Sequence, residues 1–352
     1  MNNLRKFMLA AKEHGPLLVT SEVNRLYATG FAATDGMLLV TADEAFFMTD
    51  SRYTEAAEQV IDGAEVIRVG NDRPYHTVIN ELTERLGIAS LGFESDRMTY
   101  AEFARLSEKL TCSLKSLGSL VSELRAQKSE EELECLIRAQ RLAEKSFREV
   151  LPLANTGLTE KQLAAKLMCA FYENGADDKS FDPIVVSAER TSMPHGVPTD
   201  AVIGGGFLTM DFGVKLDGWC SDTTRTVCVG RPTDEMVNVY DTVLRAQLRG
   251  IEAARAGVTG KEVDGAARQV IEDAGYGGYF GHSFGHSLGL EIHEAPNASP
   301  TNEEPLPEGA VISAEPGIYI PGKFGVRIED VLWLTAEGSK NITELPKELI
   351  IL

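Results

Sequence analysis

Over roughly the first 120 residues, short apolar runs alternate with helical patterns. The runs LLVT near residue 17, GMLLVT near 36, AFFMTD near 45, AEVIRV near 64 and LGFE near 91 predict strands. Helical patterns lie around 75–86 and 99–110. Thr99 and Glu102 have the capping-box spacing that opens the second of these. The alternation predicts an α/β domain of modest size.

The pattern changes near residue 121. The stretch SELRAQKSEEELECLIRAQRLAEKSFREVL begins a strongly amphipathic helix, with Ser129 and Glu132 as its capping box. Leu133, Leu136, Ile137, Ala143, Phe147 and Leu151 then recur near a 3.6-residue period. A domain boundary is expected at about 120–128, dividing the chain into residues 1–124 and 125–352. A second helix follows, opened by Thr159 and Gln162 and stopped by Gly175. Residues 181 to about 230 read as strands, 233–274 as helix and 280–352 as strands again. The second domain thus runs helices-then-strands twice, which predicts two related halves.

Composition narrows the function classes. The chain has 352 residues, 43% hydrophobic and 25% charged, enough for two domains with sizeable cores. A net charge of −19 argues against a nucleic-acid partner, whose phosphates would be repelled. Apolar stretches fall well short of the roughly 20 residues that span a bilayer, so no membrane association is expected. Lys12 and Glu13 interrupt the apolar N-terminal stretch and argue against a signal peptide. The five cysteines are odd in number and have no C-x-x-C spacing. Reduced thiols in a cytoplasmic protein are the simplest account.

The candidate chemistry sits in three segments. In FLTMDFGVKLDGWCSDTTRTVCV, Asp211 and Asp222 flank a turn expected at Lys215–Gly218, and a hairpin would set the two roughly opposite each other. Taken alone, a surface hairpin with solvated aspartates is an equal reading. The flanking Met210, Phe212 and Trp219 weaken it. In AVISAEPGIYIPGKFGVRIEDVLWL, Glu315 and Glu329 flank a second turn within apolar strand sequence. An unpaired buried carboxylate costs several kcal/mol in effect. Four of them call for a shared counter-charge, and a pair of divalent metals is the simplest one. The third segment, GHSFGHSLGLEIHEAP, holds His282, His286 and His293, half of the chain's six histidines. Any one alone is more often a hydrogen-bonded structural histidine. Three together beside two carboxylate hairpins point to metal or proton chemistry. An oxygen-rich site with one imidazole suits manganese, cobalt or iron better than a purely structural zinc. The chain has no HExxH, P-loop or G-x-S-x-G.

The order Asp211, Asp222, His286, Glu315, Glu329 resembles the metallopeptidases of the pita-bread fold, which include methionine aminopeptidase, aminopeptidase P and prolidase. The strings MDFGVKLDGWCSDTTRT, GHSFGHSLGLEIHEAP, AEPGIYI and GVRIED look like the proline-specific branch. The resemblance implies an α/β, creatinase-type N-terminal domain. A catalytic domain with a curved antiparallel sheet and pseudo-twofold halves follows it. It implies two divalent metal ions held by those five residues, Mn2+ foremost, with Co2+, Fe2+ or Zn2+ as alternatives. Asp222 and Glu329 would bridge the two ions, and Glu315 would also accept a proton from the attacking water. His195, in SMPHGVPTD, matches a substrate-side histidine, His293 one that steadies the tetrahedral intermediate, and His282 lines the same pocket; all three are expected to be catalytic with Glu315, and to bind substrate with Arg327. Arg327 would orient Glu329 or an aspartate. The resemblance also implies a homodimer.

The expected substrate is a peptide with proline at its second position. A strict dipeptidase must read a free carboxylate. Prolidase-like members place an arginine after HE-x-P, but here Asn297 follows HEAP and no Arg or Lys occurs between His293 and Glu315. That departure favours an Xaa-Pro aminopeptidase over an Xaa-Pro dipeptidase, although Arg52 could serve a dipeptidase. A non-catalytic peptide-binding module, a creatinase-like hydrolase and a methionine aminopeptidase are weaker readings. The first two would not need the metal ligands, and the third has no use for the N-terminal domain.

Overall fold

The computed structural model describes residues 3–352 and divides into two compact units, Met1–Arg125 and Ala126–Leu352. In the first, the strands Leu17–Val19, Met37–Val40, Ala45–Thr49, Glu65–Arg68 and Ser90–Phe93 form where the apolar runs predict them. An edge strand, Ser113–Ser116, completes a six-stranded mixed sheet. Its order runs from Glu65–Arg68 through Ala45–Thr49, Met37–Val40, Leu17–Val19 and Ser90–Phe93 to that edge. The edge strand reads SLKS and is mostly exposed, so no apolar pattern announces it. Helices Tyr75–Leu86 and Tyr100–Lys109 pack Val78, Ile79, Leu82 and Leu106 against Leu18, Leu39, Phe46 and Leu91. The Thr99–Glu102 capping box is formed. Helix Leu4–His14, not anticipated from the sequence, buries Leu4, Phe7, Ala10 and Ala11 at three- to four-residue spacing.

The second unit repeats helices then strands. Helix Glu130–Val150 opens on the Ser129–Glu132 box, and helix Glu160–Glu173 on the Thr159–Gln162 box. Both pack on the strands Ile184–Ser187, Gly206–Phe212 and Thr223–Val229. Phe147 and Phe212 stack there, with ring centres 5.1 Å apart. Helices Asp234–Ala253 and Gly260–Asp273 form the second pair. They bury Val239, Val243, Val263 and Ala267 against Ile312, Ile318 and Leu332 of the C-terminal strands. Those strands make an antiparallel five-stranded sheet and the two-stranded ribbon Gly317–Ile320/Phe324–Arg327. The strand-like stretch from residue 181 is broken by a 3-10 turn, Ala188–Ser192, and by an irregular segment carrying His195. No helix among the described residues is long and apolar enough to cross a membrane.

Candidate active site

Two hairpins supply the carboxylates. The first turns at Asp217–Gly218, both in the left-handed region (φ 51° and 84°), and joins Leu216 to Trp219. Its register differs from the simple sequence expectation. Asp211 pairs with Thr224, so Asp222 stands two residues nearer the turn, diagonal to Asp211 rather than opposite it. The reason is that Asp222 lies in the break between the ladders 206–212/223–229 and 214–216/219–220. In the second hairpin Ala314 pairs with Asp330 and Gly317 with Arg327. Glu315 and Glu329 therefore face each other where the two ladders part. Gln247, from helix Asp234–Ala253, donates its amide to Ala314 O (3.0 Å) and Ile328 O (3.2 Å) and fixes that neck.

The donors converge. Asp222, His286 and Glu329 each offer a ligand atom within 4.8 Å of the others. His286 Nε2 lies 3.5 Å from Asp222 Oδ2 and 3.3 Å from Glu315 Oε1. Its Nδ1 faces the Ser287 carbonyl at 3.2 Å and, in the neutral ring, donates to it. That tautomer turns the Nε2 lone pair toward the carboxylates, the arrangement of a metal-ligating histidine. Asp211 Oδ1 and Glu329 Oε1 are buried and have no hydrogen-bond partner among the described residues. Burial, and then the charges of neighbouring carboxylates, push Asp222 and Glu329 well above the usual carboxylate range. Burial also raises Asp211, although Arg327 opposes this. Oxygen donors of this kind, one imidazole nitrogen and two orphaned carboxylate oxygens fit divalent cations.

The surrounding polar groups fix the donors. Ser313 Oγ donates to Glu315 Oε1 (2.9 Å) and accepts from His286 N (2.9 Å). Thr224 Oγ1 donates to Glu329 Oε2 (2.8 Å). Arg327 reaches four groups: Asp211 Oδ2 (2.7 Å), Thr224 Oγ1 (3.0 Å), Tyr319 Oη (2.9 Å) and Pro194 O (3.2 Å). Arg225, fully buried, pairs with Asp330 at 2.8 Å and holds the Glu329 backbone carbonyl. The loop before His286 is tied by Arg268, which bonds Asp264 and the carbonyls of Phe280 and His282. Asp264 in turn accepts from Phe284 N.

His195, His282 and His293 line the same cavity, of about 1210 Å³, with the five carboxylate and imidazole donors and Arg327. His293 packs edge-on to His286, ring centres 4.4 Å apart. Burial is the chief cause that lowers its pKa, so it is neutral near pH 7. His282 differs from the sequence expectation of a reacting group. Its Nδ1 is 2.9 Å from Ser283 O and its Nε2 is 2.8 Å from Tyr319 Oη, so both nitrogens are engaged with the protein. Burial lowers its pKa and raises that of Tyr319 to about 12, so a neutral imidazole accepts from a protonated phenol. One wall of the cavity is apolar, with Ala164, Ala165 and Met168 from helix Glu160–Glu173 and Phe181, Pro183 and Ile184 from the following segment. Lys161 and Asn297 also line it.

Thr224, Arg225, Gln247, Ser313 and Tyr319 were not anticipated from the sequence. Arg225 carries the clearest signal, an arginine inside a strand that is otherwise apolar or threonine. Gln247 and Tyr319 carry none, since either could sit in any amphipathic helix or strand.

Residues 134–336 match the family model described as metallopeptidase family M24, and residues 1–127 match the creatinase/prolidase N-terminal domain. The chain is 43% identical to an uncharacterized peptidase, YqhT, of Bacillus subtilis, over 96% of this chain and 95% of the relative. It is 36% identical to an Xaa-Pro dipeptidase of Pyrococcus furiosus over 95% of this chain and 94% of the relative. Among solved structures it resembles an Xaa-Pro dipeptidase from Bacillus anthracis (39% identity, 99% of each chain, TM-score 0.95). It also resembles an X-Pro aminopeptidase from Thermotoga maritima (36% identity, 98% and 100% coverage, TM-score 0.93).

Proposed function

The chain belongs to metallopeptidase family M24, and from that premise we propose that it hydrolyses the bond between an N-terminal residue and a following proline, with Xaa-Pro dipeptides as its substrates. The observation that carries the reading is the set of Asp211, Asp222, His286, Glu315 and Glu329 lining one cavity, with His293 packed on His286.

Divalent cations held by those five side chains, Mn2+ foremost, would supply a Lewis acid and a water acidic enough to attack at neutral pH. Glu315, oriented by the Ser313 hydroxyl, receives the proton of the attacking water. His293, neutral near pH 7, presents a ring N–H to the carbonyl oxygen as negative charge develops on it. His195, on the same cavity, assists from the substrate side and delivers a proton toward the departing proline nitrogen. His282 is a positioning residue whose Nε2 holds Tyr319, and Tyr319 in turn braces Arg327. Arg327 orients Asp211. The apolar wall around Phe181 and Ile184 excludes water from the reacting bond.

The dipeptidase reading replaces the preference drawn from Asn297. Two relatives at 36% and 39% identity carry the name Xaa-Pro dipeptidase. In place of an arginine after HEAP, the cavity has Lys161 on its helical wall, a cation whose Nζ pairs with Asp200 at 2.9 Å. An aminopeptidase accepting longer peptides is the second reading. It is favoured by a cavity larger than the about 300–1,000 Å³ usual for small-molecule sites. The test offers manganese-loaded protein an Xaa-Pro dipeptide beside an Xaa-Pro-Xaa tripeptide. Preferential cleavage of the dipeptide is expected. Preference for the tripeptide supports the aminopeptidase, and cleavage of neither sinks the peptidase reading.

A further inference from the structure

We infer that Glu160 is a positioning residue for His195, clamping both ends of the segment that carries His195 into the cavity. The inference rests on the reading of His195 as a substrate-side group. Glu160 is the first residue of helix Glu160–Glu173 and is fully buried. Its Oε1 accepts from Ser187 N (2.8 Å) and Ser187 Oγ (3.1 Å). Its Oε2 accepts from Thr199 N (2.9 Å), Thr199 Oγ1 (2.8 Å) and Arg190 Nε (3.2 Å). One carboxylate thus uses both oxygens on five donors, all from the two stems of the 187–199 segment or from Arg190 within it.

The segment needs holding. Ala188, next to the clamped Ser187, has φ 53°, a region alanine rarely adopts. Arg190, its Nε on Glu160, sends Nη2 across the segment to Val197 O (2.6 Å). Further along, Pro194 O accepts from Arg327 Nη1 and Thr191 Oγ1 from Gly325 N. The residue before His195 is therefore tied to the guanidinium that orients Asp211, while Glu160 fixes the stems.

The pseudo-symmetry of the unit separates this duty from helix docking. Helices Glu160–Glu173 and Gly260–Asp273 both have 14 residues and open on threonine capping boxes. Thr159 bridges to Val202 and Thr259 to Pro305; Lys161 N donates to Thr199 O (3.0 Å) and Lys261 N to Asn302 O (2.8 Å). The counterpart of Glu160 is Gly260, where an added Cβ would lie 2.3 Å from Asn297 O. The second helix start docks by direct backbone approach, without a side chain at this position. The first half has instead a carboxylate, and what it grips is the histidine-bearing segment.

The test uses full-length, manganese-loaded protein and an Xaa-Pro dipeptide. Glu160→Gln turns an amide NH2 toward one of the two donor sets. Misplacing a reacting group by about 1 Å costs on the order of 10²-fold, so kcat/KM should fall by about 10- to 100-fold with metal content unchanged. In a His195→Ala background, adding Glu160→Gln should lower kcat/KM by no more than about twofold further, because both changes act through one group. Effects that multiply overturn the inference and leave the peptidase reading standing. A His195→Ala protein with wild-type kcat/KM removes the role of His195 and the inference with it. Amide exchange reads the clamp without reference to turnover. Residues 188–198 should exchange faster in Glu160→Gln, and unchanged exchange overturns the inference even where activity falls. Thr199→Val, which deletes one donor and keeps the shape, guards against misfolding. It should move both readouts in the same direction by less, and wild-type turnover and exchange in this variant overturn the clamp.

Discussion

Arg327 Nη2 lies 2.7 Å from Asp211 Oδ2, while Asp211 Oδ1 has no hydrogen-bond partner among the described residues. One oxygen is fixed by the protein and the other is buried with no protein hydrogen bond to satisfy it, the division of labour of an oriented metal ligand. Replacing Arg327 with methionine should therefore lower divalent-metal affinity by about 10- to 100-fold. Calorimetric titration of Mn2+ into stripped wild-type and variant protein measures this, and equal affinities would remove Arg327 from the site.

Glu315→Gln keeps the shape of the side chain and the partner at Ser313 but removes the proton acceptor. The expected loss in kcat is about 10²- to 10⁴-fold, the usual contribution of general acid–base groups. Circular dichroism and thermal melting should match wild type. An active variant would show that the water's proton goes elsewhere.

Lys128 and Glu294 form an almost fully buried pair, Nζ to Oε2 3.1 Å, beside Ser287 and one residue from His293. Removing one partner of such a pair takes the counter-ion from the other charge in a low dielectric. Lys128→Met should cost about 3–5 kcal/mol of unfolding free energy. Urea denaturation measures the loss, and a change of under about 1 kcal/mol, the size of a surface pair, would contradict the burial argument.

Stripped of metal, the carboxylate cluster makes stability depend on pH. Burial and mutual repulsion raise Asp222 and Glu329 well above the ordinary range they would have in the unfolded chain. Between the ordinary and the raised values the folded state holds more protons, so stability falls as pH rises. The contribution of these two groups to the stability of the stripped protein should be greatest below the ordinary carboxylate range and be lost on the way to neutrality. Added Mn2+ should stabilise more at pH 8 than at pH 5, with protons released on binding. Melting temperatures with and without metal across that range decide it, and an increment independent of pH would contradict the coupling.

Much of the frame was legible because its signals are local. The boxes at Thr99, Ser129 and Thr159 are each set by residues three apart, and all three form. The apolar runs name five of the first unit's six strands, four of them buried on both faces, whereas the exposed edge strand Ser113–Ser116 has no such run. The long-range relationships were not legible. Pairing Asp211 with Thr224 instead of Asp222 depends on a ladder break that the spacing of two aspartates cannot reveal. His282 reads as a reacting histidine until Tyr319, 37 residues away, is seen on its Nε2. Glu160 looks like an ordinary acidic residue in a first helical turn, favoured there by the helix dipole. Its five bonds reach residues up to 39 positions distant.

The central claim is that five side chains from two hairpins and one strand form a divalent-metal site on which peptide cleavage depends. The direct measurement is metal content and Xaa-Pro cleavage on one preparation, taken after chelation, after Mn2+ addition, and in Asp222→Asn. Stripped wild type should be inactive and regain cleavage as about two ions bind per chain. Asp222→Asn should bind fewer ions and stay inactive. Full cleavage by the stripped protein, or full metal loading and activity in Asp222→Asn, would contradict the account.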